Sequence, residues 1–146
     1  MSMAIDVAAS LLERTGPLGV MRLHRLLYCA VAWFLAEHGR PLFEDPIEAW
    51  AAGPVVRIVH EACGGRIRVA AADLRGDPAR LSSVESAAVD AVLAQYGALS
   101  DGQLARLVQA ERPWREARHP PAAWGRPDPV IPRSTLLARY ASVARA

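Results

Sequence analysis

The chain contains no lysine: all 17 of its basic residues are arginine. A GC-rich gene is the simplest source of that bias, and it has a chemical consequence. A tag joined through a lysine side-chain amine would find no acceptor except the N-terminus, so turnover by such tagging is disfavoured. Cysteine is scarce too. Two thiols, Cys29 and Cys63, are too few for a disulfide scaffold and fit a reducing compartment. Long apolar runs are missing. The uncharged stretch from Leu26 to Ala36 falls well short of the roughly 20 residues needed to cross a bilayer, so no membrane association is expected. Export features are missing as well, because Asp6 interrupts the first apolar stretch and no basic residue precedes Arg14. The expected location is the cytoplasm.

Charge of one sign does not accumulate in blocks. A net charge of +2 with scattered arginines gives no argument for nucleic acid by itself. Nor is there a Walker-type phosphate loop, a dinucleotide fingerprint or a serine-nucleophile elbow. The chain is therefore expected not to be an enzyme and to need no cofactor.

What is present is a core. With 52% apolar residues in 146, the chain has material for one domain spanning 1–146, and no repeat of solenoid period divides it. The expected fold class is mainly α: a compact single-domain helical fold of about six helices with a minor two-stranded β element. A first helix runs from Ser2, as N-cap, to Arg14, with Ile5, Ala8, Leu11 and Leu12 inward and Gly16-Pro17 as its stop. Val20, Leu23, Leu27, Ala30, Val31 and Phe34 recur at three- and four-residue spacing and line a long second helix that Gly39 ends. Ile47 to Ala51 alternates like a strand, and Gly53-Pro54-Val55 reads as a helix start, with glycine at the cap and proline first in the helix. That third helix stops at Gly64-Gly65. Arg66 to Val69 alternates again and could pair with Ile47 to Ala51.

Two capping boxes mark the next helices. Ser82 with Glu85 opens a fourth, with Val84, Ala88, Ala91, Val92 and Tyr96 inward. Ser100 with Gln103 opens a fifth, burying Leu104, Leu107 and Val108. Residues 113–132 read as a proline-rich connector carrying Trp114 and Trp124. A last helix starts near Pro132 with Leu136, Leu137, Tyr140 and Val143.

Few side chains suggest chemistry. His60 and Cys63 share a helical face, but two ligands do not close a tetrahedral zinc site, and His24, His38, His119 and Cys29 add no matching spacing. No metal is expected. Glu44, Asp45 and Glu48 cluster before Trp50, where a solvated edge or partnership with Arg40 and Arg57 is the ordinary role. The run from Val84 through Gly97 to Gln109 reads helix, turn, helix, and its second helix would offer Gln103, Arg106, Gln109 and Arg112 to base edges. DNA binding is thus the alternative function, though it lacks a basic footprint for phosphates.

The blocks RLHRLLYCAVAWFL, PLFEDPIEAWAAGPV and LSDGQLARLVQAERPWREAR are more specific. Together they resemble the Panacea domain, the SocA-like and phage-associated GepA-like antitoxin domain of bacterial and phage toxin–antitoxin pairs. Members typically read LxKLLYYxQxWxL, PLFxDxIEAWxxGPV and LSxxxLxxLxxxxxPWxxAR. The matching positions here are Leu23 to Leu35, Pro41 to Val55 and Leu99 to Arg118. His24, Arg25, Cys29 and Val31 stand where members commonly carry glutamine, lysine, tyrosine and glutamine. The resemblance implies an antitoxin that binds and neutralises a cognate protein toxin encoded by a neighbouring gene, and it implies no catalytic site. It allows a AAA+ protease as a second partner, with the chain acting as a proteolytic adaptor. Large amphipathic groups and arginines dominate binding where they lie at an interface. Tyr28, Trp33, Trp50, Trp114, Arg115, Arg118 and Trp124 are accordingly the expected partner-binding residues.

Overall fold

The computed structural model describes residues 2–119 and 127–145, with side chains as far as Ala141. Seven α-helices and two small antiparallel sheets appear among them: α1 (Ala4–Thr15), β1 (Leu18–Gly19), α2 (Val20–His38), β2 (Glu48–Trp50), β3 (Gly53–Val55), α3 (Arg57–Cys63), β4 (Arg68–Val69), α4 (Ser83–Tyr96), α5 (Asp101–Ala110), α6 (Arg112–Ala117) and α7 (Arg133–Arg145). The mainly helical fold with a minor β element is as the sequence pattern predicts.

The predicted apolar stripe of α2 is buried on every member, and burial continues round the helix to Leu26, Tyr28, Cys29 and Ala32. A helix apolar nearly all round belongs inside. α2 is accordingly central, packed on α4, α5, α7 and β3. Gly39 ends it in the left-handed conformation with its N–H on the Leu35 carbonyl, as a glycine stop should.

α1 begins one residue later than expected, with Met3 as its N-cap. Its free N-terminal N–H groups are met by carboxylates. Asp6 accepts from Met3 N–H at 3.0 Å and Asp45 from Ala4 N–H at 2.9 Å, each favourable beside the positive end of the helix dipole. Asp6 also accepts from Asp77 N–H, which lays the segment after β4 across α1. A Cβ on Gly76 would stand 2.2 Å from the Ile5 carbonyl oxygen, so only glycine permits that crossing. Both serine capping boxes form as predicted, Ser82 with Glu85 and Ser100 with Gln103.

Five expectations are corrected. Gly53-Pro54-Val55 is a strand, and the third helix starts at Arg57, because Gly53 adopts φ +143° and turns the chain back along β2. The strand partners differ as a result. β2 pairs with β3 across a two-residue turn, Ala51-Ala52, with Trp50 opposite Gly53, while β4 pairs with β1, Val69 opposite Leu18. A local hairpin closes a shorter loop than the pairing of 47–51 with 66–69 would. Trp114 lies in α6, whose Pro113 near the helix start needs no N–H partner there. On α4 the buried set is Glu85, Val89, Val92 and Tyr96, whereas Val84 and Ala91 face outward. In α7 Leu136 and Tyr140 are buried, Leu137 is partly exposed, and the side chain of Val143 lies outside the described residues.

Candidate functional site

The β2–β3 hairpin is where the three sequence blocks meet. Its turn carbonyl, on Ala52, accepts from Arg25 Nη2 of α2 at 3.0 Å and from Gln109 Nε2 of α5 at 2.8 Å. The Trp50 carbonyl accepts from the indole N–H of Trp114 at 3.0 Å, and the Ala49 carbonyl from Arg118 Nη1 at 2.8 Å. On the same outer edge Ala49 N–H donates to the Pro129 carbonyl at 2.7 Å. An edge strand left open would invite pairing with another chain, and here side chains and the 129–131 segment cover it.

Side chains of β2 and α3 form a second knot. Glu48 takes a bidentate pair from Arg57, at 2.9 and 2.8 Å, and the Trp50 indole N–H at 2.9 Å. The Arg57 hydrogen bonds hold the Glu48 carboxyl below the ordinary carboxylate range, against the opposing effect of burial. The Arg57 guanidinium lies over the Trp50 ring at 5.4 Å, and His60 meets that ring edge-on at 4.9 Å.

Beneath the hairpin, His24 is fully buried, and its Nδ1 accepts from Val56 N–H at 3.1 Å. That bond requires an unprotonated Nδ1, so the neutral ring carries its proton on Nε2, which has no hydrogen-bond partner among the described residues. Burial first, then the nearby His60 and Arg25, pulls His24 down to about 4.

A third cluster ties α2, α5, α6 and α7 together. Glu111, which joins α5 to α6, accepts on Oε1 from Tyr28 Oη at 2.8 Å and Tyr140 Oη at 2.7 Å. Its Oε2 lies 3.9 Å from Arg139 Nη2. Burial pushes both tyrosines well above their usual range, the adjacent Glu111 carboxylate pushing the same way, so both stay protonated donors. Burial likewise raises Cys29, which leaves it an inert core thiol. The Trp33 indole N–H donates to Tyr96 Oη at 2.6 Å beside this cluster, with Tyr140 edge-on to the Trp33 ring at 5.1 Å.

The expected partner-binding residues therefore divide. Tyr28 is 0% exposed and belongs to the interior, so its place on a binding surface is corrected: its hydroxyl serves Glu111. Trp33, Trp50 and Trp114 are half-buried, each indole N–H already committed to a partner within the chain. Arg118 is half-buried, its guanidinium on the Ala49 carbonyl and 3.5 Å from Asp128. Arg115 is exposed and pairs with no carboxylate among the described residues. Trp124 lies outside the described residues.

The residues offered to DNA divide similarly. Gln103 bonds back to Ser100 N–H, Gln109 holds the Ala52 carbonyl, and Arg112 belongs to α6, where it pairs with Glu116 at 2.7 Å. Only Arg106 of the four is both exposed and unpaired among the described residues. Sequence reasoning missed Glu111 as an organising residue. Its one signal was a carboxylate two positions ahead of Pro113-Trp114, inside otherwise apolar spacing.

No group of three or more potential metal ligands occurs among the described residues; His60 is exposed and Cys63 buried. Among those residues, too, no helix is long and apolar enough to cross a membrane. Neither the curated proteins nor the solved structures give a match to the chain. The family model described as "Antitoxin SocA-like, Panacea domain" matches residues 23–115, more than half of the chain, and covers α2, the hairpin, α4, α5 and the start of α6. By that match the chain belongs to the SocA-like antitoxin family, as a Panacea domain.

Proposed function

We propose that this protein is the antitoxin of a bacterial or phage toxin–antitoxin pair and that it neutralises a toxin encoded by a neighbouring gene through direct binding. The family match carries this reading. The arrangement of side chains supports a binding role over catalysis, because the two buried carboxylates of the site are engaged within the chain. Glu111 is saturated by tyrosines on one oxygen, Glu48 by Arg57 and Trp50, and both thiols are buried.

The mechanism we propose is stoichiometric occlusion of the toxin. Interfaces of that kind bury on the order of 800 Å² per partner, within reach of one face of a domain this size. Delivery of the bound toxin to a AAA+ protease is a further step that the same contact would permit. The test is growth of a bacterial host expressing each gene neighbour alone and together with this chain. Arrest by one neighbour and recovery on co-expression support the reading; no toxic neighbour, or toxicity persisting beside well-expressed chain, refutes it.

A further inference from the structure

The charge of this chain is unevenly placed. From residue 101 onward there are eight arginines against four carboxylates, while the first hundred residues hold nine arginines against eleven. The fold gathers part of this excess along one groove. A cleft of about 700 Å³ runs between α5–α6 on one side and α7 on the other, with Leu107, Ala110 and Ala138 among its lining residues. Arg112 and Arg139 line it too, and a shallower depression on α6 extends it past Arg115 to His119.

The arginines here are available. Arg112 pairs with Glu116 one turn along α6, but both side chains are largely in water, 79% and 44% exposed, where such pairs are weak and readily exchanged. Arg115 is exposed and meets no carboxylate among the described residues. Arg139 stands 3.9 Å from Glu111 Oε2, beyond hydrogen-bond distance. Glu111 is fixed by Tyr28 and Tyr140, so the wall at this point is preorganised.

We propose, on the antitoxin reading above, that this groove is where the toxin docks and that its occupant is an acidic segment of the toxin. Its carboxylates pair with Arg112, Arg115 and Arg139, and an apolar side chain between them covers Leu107 and Ala138. Charge complementarity selects the occupant. Phosphates of a nucleic acid would gain nothing from the apolar lining, whereas a peptide can use both the arginines and Leu107 and Ala138. The α5 wall lies within the residues that the family model matches, and α7 lies outside them.

The experiment uses the full chain and the growth-arresting product of the neighbouring gene. Binding is measured for the wild type, for R112E/R115E, and for R75E/R80E as a charge-matched control on an exposed segment remote in sequence. The expected result is a dissociation constant at least tenfold higher for R112E/R115E, with unchanged melting, loss of growth rescue, and no change for the control. Wild-type binding should also weaken as salt rises. Equal binding by R112E/R115E overturns the groove and leaves the antitoxin reading standing, whereas failure of the wild type to bind any toxic neighbour overturns both. Should the double variant misfold, hydrogen exchange of the wild-type complex decides. Slowed amides in α6 and α7 support the proposal, and slowing confined elsewhere overturns it. Duplex DNA binding that R112E/R115E abolishes, with toxin capture intact, assigns the face to nucleic acid and overturns it too.

Discussion

The indole N–H of Trp114 donates to the backbone carbonyl of Trp50 at 3.0 Å, joining two tryptophans that lie 64 residues apart in the chain. Each belongs to a different sequence block, EAW and PW. Their shared role is to clamp α6 onto the hairpin, with Arg118 stacked at 5.8 Å over the Trp114 ring and bonded to the neighbouring Ala49 carbonyl. Trp114→Phe keeps most of the packing and removes the donor, which should cost about 1 kcal/mol. Trp114→Ala also opens a cavity and should cost about 3 kcal/mol. Denaturant unfolding of the two variants checks the order, and equal stability of Trp114→Phe and wild type would remove the clamp.

Gly53 has φ +143° and faces Arg25, whose Nε would lie 3.5 Å from an added Cβ. Gly53→Val should destabilise by roughly 1–3 kcal/mol, because an L side chain rarely adopts that backbone conformation. The loss appears as a lower melting temperature. A melt identical to wild type would mean that the hairpin turns differently.

His24 makes stability depend on pH. Its pKa falls from 6.5 in the unfolded chain to about 4 in the fold, so between those values the unfolded state binds more protons. The stabilisation is complete above about pH 6.5 and is lost as pH falls toward 4, amounting to at most about 3 kcal/mol. His24→Gln, which restores the residue common in the family, can keep an acceptor for Val56 N–H without titrating. Its unfolding free energy should be flatter than that of wild type between pH 4 and 6.5. Parallel curves would contradict this assignment.

Glu111 accepts from two buried hydroxyls, and its loss should be felt at both. Glu111→Ala should cost about 2–4 kcal/mol by leaving Tyr28 and Tyr140 unpaired, and Glu111→Gln about 1 kcal/mol because one acceptor oxygen remains. Thermal melting ranks the three proteins. A Glu111→Ala variant as stable as wild type would show that the tyrosines find other partners.

Much of the helical frame was legible because helices announce themselves locally. The stripe of α2, its Gly39 stop and the serine capping boxes of α4 and α5 all follow from spacing and end residues. The hairpin was not, since glycine followed by proline reads equally as a helix start, and the φ of Gly53 decides between them. The site was harder still. Tyr28 and Trp114 share the chemistry of interface residues, but whether an aromatic hydroxyl or indole faces water depends on partners such as Glu111 and the Trp50 carbonyl, distant in sequence. Arg115 is exposed on α6, whereas Arg118, three positions on, turns inward to the Ala49 carbonyl.

Direct neutralisation is tested most plainly with purified components. The toxin's activity is measured in a cell-free assay, with no protease and no DNA, as this chain is added. Direct occlusion predicts that activity falls in proportion to the chain added and is abolished near one equivalent. Full activity in the presence of excess folded chain would contradict it.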